Sequence, residues 1–310
     1  MRALSQETRF EFLRHRRLAG ALSLVLVLIS IASLGWNRLA LGIDFTGGAL
    51  IELSFAQPLP LDRVRNALKS QYAGAIVQPF GAPQEVLVRL PAEEASIGDA
   101  QTAVLTALSD SGLEAQVRRV EFVGPQVGED LTVDGGLALL FTLMAVFAYV
   151  LMRFHWRLSA GAVIALAHDV ILVLGVFSLF SMAFDLSVLA ALLAVIGYSL
   201  NDTIVIFDRF RENVRRKTEN DMARVLNTTI NQTLSRTFIT SGTTLLVLIA
   251  LYAVGGEALS GFSLALLIGI SVGTYSSVYV AGSTAIALGL KREDLLIPEN
   301  TPMDDSGAQL

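Results

Sequence analysis

The stretch IGYSLNDTIVIFDRF, residues 196–210, sets an ionisable carboxylate, Asp202, beside Asn201 near the end of a long apolar run. Gly197 and Tyr198 precede it, and Tyr198 and Asp202 stand at the i, i+4 spacing that puts two helical side chains on one face. A second apolar run carries His168 and Asp169 near its middle. A third opens with NQTLSRTFITSGTT, where Arg236, Thr240 and Thr243 share a helical face. Carboxylate, imidazole and guanidinium groups inside apolar segments have two uses. Paired, they fix helix register and act as interhelical glue. Exchanging protons, they tie a movement to a gradient, because a helix that changed the pairing of Asp202 with Arg236 would change whether Asp202 holds a proton. Both uses stay open for Asp202 at this level. The proton-relay candidates are Asp202, Arg236, Asn201, His168 and Asp169, with Tyr198, Gly197, Thr240 and Thr243 in support. No metal site is expected, and the chain has no Cys, which excludes disulfides, thiolate metal sites and a Cys nucleophile.

These residues need a membrane around them. Hydrophobic residues make up 53% of the chain and charged residues 16%, with a mean hydropathy of +0.58, too apolar for an ordinary soluble domain. The net charge of −5 comes from acidic loops and an acidic tail, and no basic face suits nucleic acid. Six apolar runs reach the roughly 20 residues that a helix needs to cross the hydrocarbon core: about Leu18–Trp36, Gly135–Met152, Leu158–Phe180, Leu186–Phe207, Phe238–Val254 and Leu259–Leu288. The first follows Arg14, Arg16 and Arg17, is longer than a signal-peptide core and lacks an A-x-A site, so it reads as a retained anchor.

Lys and Arg cluster before the first run, between the second and third, between the fourth and fifth, and after the sixth. That pattern puts both termini on the cytoplasmic side. Asp202 then lies about 9 Å inside the cytoplasmic boundary at ~1.5 Å per residue, and Arg236, entering from the same side, is expected to meet it by reaching along its apolar stem. Such a partner, together with Ser/Thr donors, would offset much of the roughly 2.5–3.5 kcal/mol that a central Asp costs on insertion. Asp208 and Glu212 fall among Arg209 and Arg211 as interfacial charge pairs, and Arg211–Asn231 is expected to form an amphipathic helix at the membrane surface, with Met222, Val225 and Thr229 facing either lipid or protein. Small residues recur as stripes in three runs: Gly161, Ala165, His168 and Gly175; Ala190, Ala194, Gly197 and Asn201; Ala265, Gly269, Gly273 and Ser277. Each stripe would let another helix approach closely.

The expected organisation is a cytoplasmic arm at 1–17, a first span at 18–36, a folded segment at 37–130 and five spans over 131–290. The five spans enclose a basic cytoplasmic segment at 208–236, and 291–310 is a disordered tail. In the folded segment, alternation at Ile51, Leu53 and Phe55 marks a strand, and helical spacing at Leu61, Val64, Leu68 and Tyr72 marks a helix. Continuing the reading gives β-α-β-β-α-β, a ferredoxin-like α+β domain. It shows nothing catalytic and suits binding or docking. LGIDFTGG, with Gly42, Asp44, Gly47 and Gly48, and VGPQVG, with Gly124 and Pro125, flank it as stiff turns; neither has the spacing of a phosphate-binding loop.

Taken in order, GIDFTGG, VGPQVG, the HD pair, GYSLNDTIVIFDRFREN and NQTLSRTFITS are specific together, and they cover about residues 10–290. In them the chain resembles the SecDF family of bacterial protein-export membrane proteins, on its SecF side. The resemblance implies a six-helix half of a resistance-nodulation-division (RND) transporter in the inner membrane. It implies a SecD partner, the SecYEG channel and its associated subunits, a translocating preprotein, and protons as the driving ion. It implies no cofactor and no enzyme activity. By it Asp202 is the proton-responsive carboxylate, Arg236 its basic partner, and His168 and Asp169 the third-span motif. Three rival readings compete with it. A stand-alone proton-coupled exporter would carry an internal repeat and a midplane site, and no repeat is visible. An intramembrane aspartyl protease needs two carboxylates sharing a proton, and its G-x-G-D sequence is absent. A purely structural stabiliser of SecD remains open.

Overall fold

The computed structural model describes residues 10–69, 71–92, 100–216 and 219–296, with only the backbone at Glu257. Among them six helical stretches are long and apolar enough to cross a membrane. They are α1 (Arg16–Trp36, entered through a 3-10 turn at Phe12–His15), α5 (Pro125–Arg153), α6 (Trp156–Leu179), α7 (Leu186–Arg216), α8 (Met222–Val254) and α9 (Glu257–Ser276). The last continues through a π-helical turn, Ser277–Ala281, into α10 (Gly282–Ala287). The expected arm thus becomes structured by residue 12, and the second span starts at Pro125 rather than Gly135.

Between α1 and α5 lies the small domain: β2 (Gly48–Phe55), α3 (Leu61–Lys69), β3 (Ile76–Pro79), β4 (Glu85–Leu90), α4 (Ala100–Asp110) and β5 (Ala115–Val123). Its sheet runs β3-β4-β2-β5, antiparallel throughout, which is ferredoxin-like topology. The alternation in β2 does the sorting: Ala49, Ile51, Leu53 and Phe55 are buried in one core with Val64 and Leu68 of α3 and Val104 and Leu108 of α4. A bulge between Glu52 and Leu53 shifts the register against β5.

The double-glycine segment forms a collar between this domain and the bundle. A two-residue strand, β1 (Ala40–Leu41), pairs in parallel with β6 (Ala183–Phe184) from the α6–α7 connection, and a single helical turn, α2 (Ile43–Thr46), follows. Gly48 holds φ 117°, and a Cβ there would stand 2.2 Å from the carbonyl oxygen of Leu90; only glycine fits. Gly128 in the first turn of α5 lies against Gly47, whose backbone nitrogen a Cβ would meet at 2.6 Å. Gly124 is the N-cap of α5 and Pro125 its first residue, where a missing N–H costs nothing. At the start of α7, the helix that carries Asp202, Asp185 accepts the N–H of Val188 at 2.9 Å as the N-cap, and the Asp44 carboxylate of the collar accepts the N–H of Leu186 at 3.0 Å. Arg89 of β4 donates to the Leu41 carbonyl at 2.6 Å; burial draws its guanidinium below its ordinary pKa, and the charges of Asp185 and Asp44 oppose that.

Two of the small-residue stripes are used inside the bundle. A Cβ on Gly161 would meet the carbonyl oxygen of Ala281 at 2.3 Å, and one on Gly175 would meet Ser30 Oγ of α1 at 2.1 Å. On α9, Gly269 lies against Val195 and Gly273 against Ser199. These contacts leave room for nothing larger. The third stripe is unused: Ala190, Ala194, Gly197 and Asn201 are all exposed on α7.

The surface helix expected over Arg211–Asn231 is not a separate element. α7 runs straight on to Arg216, and α8 is continuous from Met222 to Val254. Met222, Val225 and Thr229 are buried among protein groups, so their apolar periodicity belongs to helix packing and not to a lipid surface. The two spans simply project beyond the apolar layer and pack on each other there, with Asn213 donating to Thr229 Oγ1 at 2.9 Å. The expectation of disorder in the tail falls from residue 297 onward outside the described residues. Before that, Leu290 and Leu295 are buried, and Asp294 accepts the Lys291 N–H at 2.8 Å and a short bond from Arg157.

Candidate proton site in the membrane bundle

Two buried carboxylates sit in the bundle, and their surroundings differ. Asp169, 1% exposed, lies where α6, α7 and α9 converge. Its Oδ1 is 2.9 Å from His168 Nδ1. Its Oδ2 accepts from Ser199 Oγ of α7 at 2.6 Å and from Ser276 Oγ of α9 at 2.8 Å. Gly273 makes the convergence possible, since a side chain there would press on Ser199 and approach Asp169. The His168 ring stacks near Tyr275, whose hydroxyl donates to the Ala19 carbonyl of α1 at 2.8 Å. The other ring nitrogen, Nε2, is buried and has no hydrogen-bond partner.

Asp202, 4% exposed, has one bond: Ser241 Oγ of α8 donates to its Oδ2 at 3.4 Å. Ser241 in turn accepts from Thr274 Oγ1 of α9 at 2.9 Å. A weakly bonded carboxylate in a span is the more costly arrangement of the two.

The expected Asp202–Arg236 contact is not made. Arg236 is exposed and forms no ion pair among the described residues, and it acts on Asp202 only by charge at longer range. The reason is angular. Arg236, Thr240 and Thr243 do share a face of α8, but Ser241 and Thr237, both buried, occupy the face turned to α7. The hydroxyls of Thr240 and Thr243 bond back to their own helix, to the carbonyls of Arg236 and Ile239 at 3.0 and 2.9 Å. Asn201 and Gly197 likewise point out of the bundle, with nothing within 4 Å of a Cβ at Gly197. Tyr198 reaches Thr244 of α8 at 3.4 Å. The structure therefore brings His168 and Asp169 together, and turns Asn201, Gly197, Arg236 and Thr243 to an open face.

Ser/Thr donors are expected for Asp202 from the sequence, and Ser241 is one. That Ser199 and Ser276 hold Asp169, and that Thr274 backs Ser241, is not legible there, although the hydroxyls stand in GYSLND, TYSS and FITSGTT within apolar runs, because hydroxyls in spans most often bond their own helix. Beyond the apolar layer the charge pairs are as expected: Arg153 and Arg211 bond Asp208 at 2.9 and 3.2 Å, and Arg216 bonds Glu212 at 2.8 Å.

Comparison with known proteins agrees with this architecture. The family model described as "Protein export membrane protein SecD/SecF, C-terminal" matches residues 103–291, and the "SecD/SecF GG Motif" model matches residues 33–59, which include the collar. The protein translocase subunit SecF of Vibrio alginolyticus is 49% identical, over 96% of this chain and 95% of its own. That of Pseudomonas aeruginosa is 48% identical, over 93% and 94%. A crystal structure of SecDF from Thermus thermophilus, a translocon-associated membrane protein, superimposes with a TM-score of 0.83 at 36% identity over 91% of this chain. A second SecDF structure, in a super-membrane-facing form, gives 0.68 at 37% identity. This chain spans 39% of either solved chain. Matched by the family model over more than half its length and by relatives near half identity over nearly all of it, the chain belongs to the SecD/SecF family of protein export membrane proteins.

Proposed function

We propose that the chain is the SecF-type subunit of a protein translocase, working with a SecD-type partner in a bacterial inner membrane. In this reading Asp202 takes up and releases protons, and the proton-motive force thereby assists movement of preproteins delivered by a SecYEG-type channel. Both termini face the cytoplasm, and the ferredoxin-like domain stands on the outer side. The carrying observation is the pairing of an under-bonded carboxylate with an open helix face. Asp202 has one 3.4 Å hydroxyl partner, and beside it Ala190, Ala194, Gly197, Asn201, Arg236 and Thr243 are all exposed. Small residues there allow close approach of a second bundle. Arg236 supplies a charge that such a partner would bury against Asp202 or against a carboxylate of its own. A proton crossing the field gains about 2.3 kcal/mol per 100 mV, so a few protons suffice to bias two conformations separated by a few kcal/mol.

The test is export of a radiolabelled precursor by membrane vesicles, with and without a proton gradient, comparing wild type with Asp202→Asn. The variant is expected to copurify with its SecD-type partner and to lose the gradient-dependent part of export. A variant that assembles and exports as wild type under the gradient would leave the chain as a structural stabiliser of that partner.

A further inference from the structure

The two carboxylates lie on different helices but are read by one turn of a third. Thr274 reaches Asp202 through Ser241, and two residues later Ser276 reaches Asp169 directly. Each hydroxyl has a single proton and two acceptors within range. Thr274 Oγ1 lies 2.9 Å from Ser241 Oγ and 2.8 Å from the Ile270 carbonyl oxygen. Ser276 Oγ lies 2.8 Å from Asp169 Oδ2 and 3.2 Å from the Gly273 carbonyl oxygen. In both cases one acceptor is a carboxylate or its hydroxyl partner on another helix, and the other is the backbone of α9 itself.

The backbone concerned is where α9 changes register. The Gly273 carbonyl accepts the N–H of Ser277, the first residue of the π-helical turn Ser277–Ala281. π-turns inside helices are rare and concentrate at functional sites, and a side-chain bond onto a helix carbonyl bends the helix. The π-turn packs on α6 at Gly161, whose absent side chain leaves no slack against Ala281.

We infer that Thr274 and Ser276 are positioning residues through which Asp202 and Asp169 sense each other's protonation; this rests on the proton role proposed for Asp202. With Asp202 ionised, Thr274 donates to Ser241 and Ser241 donates to Asp202. When Asp202 takes a proton, its hydroxyl donates to Ser241, Ser241 donates to Thr274, and the Thr274 proton turns to the Ile270 carbonyl. Three protons make three bonds in the second state, and no group is left without an acceptor. At Asp169, a proton on Oδ2 is donated to Ser276 Oγ, and the Ser276 proton turns to the Gly273 carbonyl, while Ser199 still donates to Oδ2. Either event adds a side-chain bond to the last α-helical turn before the π-turn, so each alters the geometry that the other depends on. The charged and titratable groups around the pair are His168 on α6, Tyr198 on α7, Arg236 on α8 and Tyr275 on α9, and only His168 touches a carboxylate.

The test labels Asp202 with a carbodiimide, which reacts with protonated carboxyls in membranes. The vesicles carry the chain with its SecD-type partner, and labelling at Asp202 is followed against pH by mass spectrometry. Asp169→Asn is expected to move the labelling midpoint of Asp202 by about half a pH unit or more, the size that one interhelical hydrogen bond in a membrane supports. In Thr274→Val or Ser276→Ala the same Asp169→Asn change is expected to move it no longer, and Thr274→Ser is expected to restore the shift. A midpoint that ignores Asp169→Asn, a shift that survives in the Thr274→Val, Ser276→Ala double variant, or a Thr274→Ser chain that behaves like Thr274→Val overturns the inference. So does an Asp202 that labels at no pH. If the coupling is present but Asp202→Asn exports normally under a gradient, the proposed function fails and the coupling remains as a property of the bundle with no role in export.

Discussion

Asp169 and Asp202 are buried alike, 1% and 4% exposed, in helices that pack side by side. Around Asp169 the bundle is closed: three helices contribute His168, Ser199 and Ser276, and glycine at 273 lets them converge. Around Asp202 the same bundle is open on one side, with a single long hydroxyl bond and a stripe of exposed small residues alongside. A carboxylate whose bonds are completed within its own chain acts as a keystone. One left under-bonded beside an unoccupied face is a group whose surroundings a second protein, or a proton, can complete. The comparison separates an acid whose bonds are completed within this chain from one whose bonds are not.

That contrast can be broken most directly by stability measurements. Asp169→Ala leaves His168, Ser199 and Ser276 without their shared partner and is expected to cost about 2–5 kcal/mol, about 1–3 kcal/mol for each buried group left unsatisfied. Asp202→Ala loses one weak bond and is expected to cost about 1 kcal/mol or less. Thermal unfolding of the purified complex in detergent should therefore rank Asp169→Ala far below Asp202→Ala, while gradient-dependent export ranks the two as equally damaged. Equal unfolding temperatures would remove the distinction.

The helix faces offer a second contrast. Gly161→Ala pushes a methyl group into the backbone of the π-turn, and overpacking of that kind costs about 1–3 kcal/mol. Gly197→Leu meets nothing within 4 Å, so the chain alone should unfold as wild type. Its yield in copurification with the SecD-type partner should fall. A Gly197→Leu chain that binds its partner normally would show that the open stripe faces lipid.

Smaller effects are expected at the two ends of the bundle. Asp44→Ala removes the acceptor of the first N–H of α7 but leaves Asp185 on the Val188 N–H, and should cost about 0.5–1.5 kcal/mol, the worth of one hydrogen bond; Asp44→Asn should recover most of it. At the other end, the Lys291 N–H, and after it Arg157 and His155, hold the Asp294 carboxyl below its ordinary value, against its burial. A depressed carboxylate contributes stability above its unfolded pKa and loses it as pH falls through the folded value. Protease cleavage at Lys291 and Arg292 should therefore stay slow from neutral pH down to the ordinary carboxylate range and rise only below it. In Asp294→Asn it should be fast throughout.

Much of the architecture was legible because its causes are local. Period-2 alternation in β2 and 3.6-residue spacing in α3 and α4 specify the ferredoxin-like domain without reference to anything distant. Apolar length specifies the spans. Whether Met222, Val225 and Thr229 face lipid or a neighbouring helix is not legible in the sequence, because periodicity does not distinguish the two; the structure buries them against protein. The expected pairing of Arg236 with Asp202 rests on depth alone. Depth follows from position along a helix, but meeting also requires rotation about its axis, and rotation is set by how α7, α8 and α9 pack.

The sequence by itself determined six membrane crossings, a small α+β domain between the first two, a glycine collar joining them, and which ionisable groups lie in the apolar layer. Composition, period and length carry those, and each is a property of the chain taken a few residues at a time. Only the tertiary structure decided which carboxylate is enclosed and which is open, that Ser241 rather than Arg236 bonds Asp202, and that one turn of α9 serves both acids. Hydroxyl and guanidinium partners are chosen by helix rotation to within a few tens of degrees, and that angle is fixed by the glycine contacts between helices.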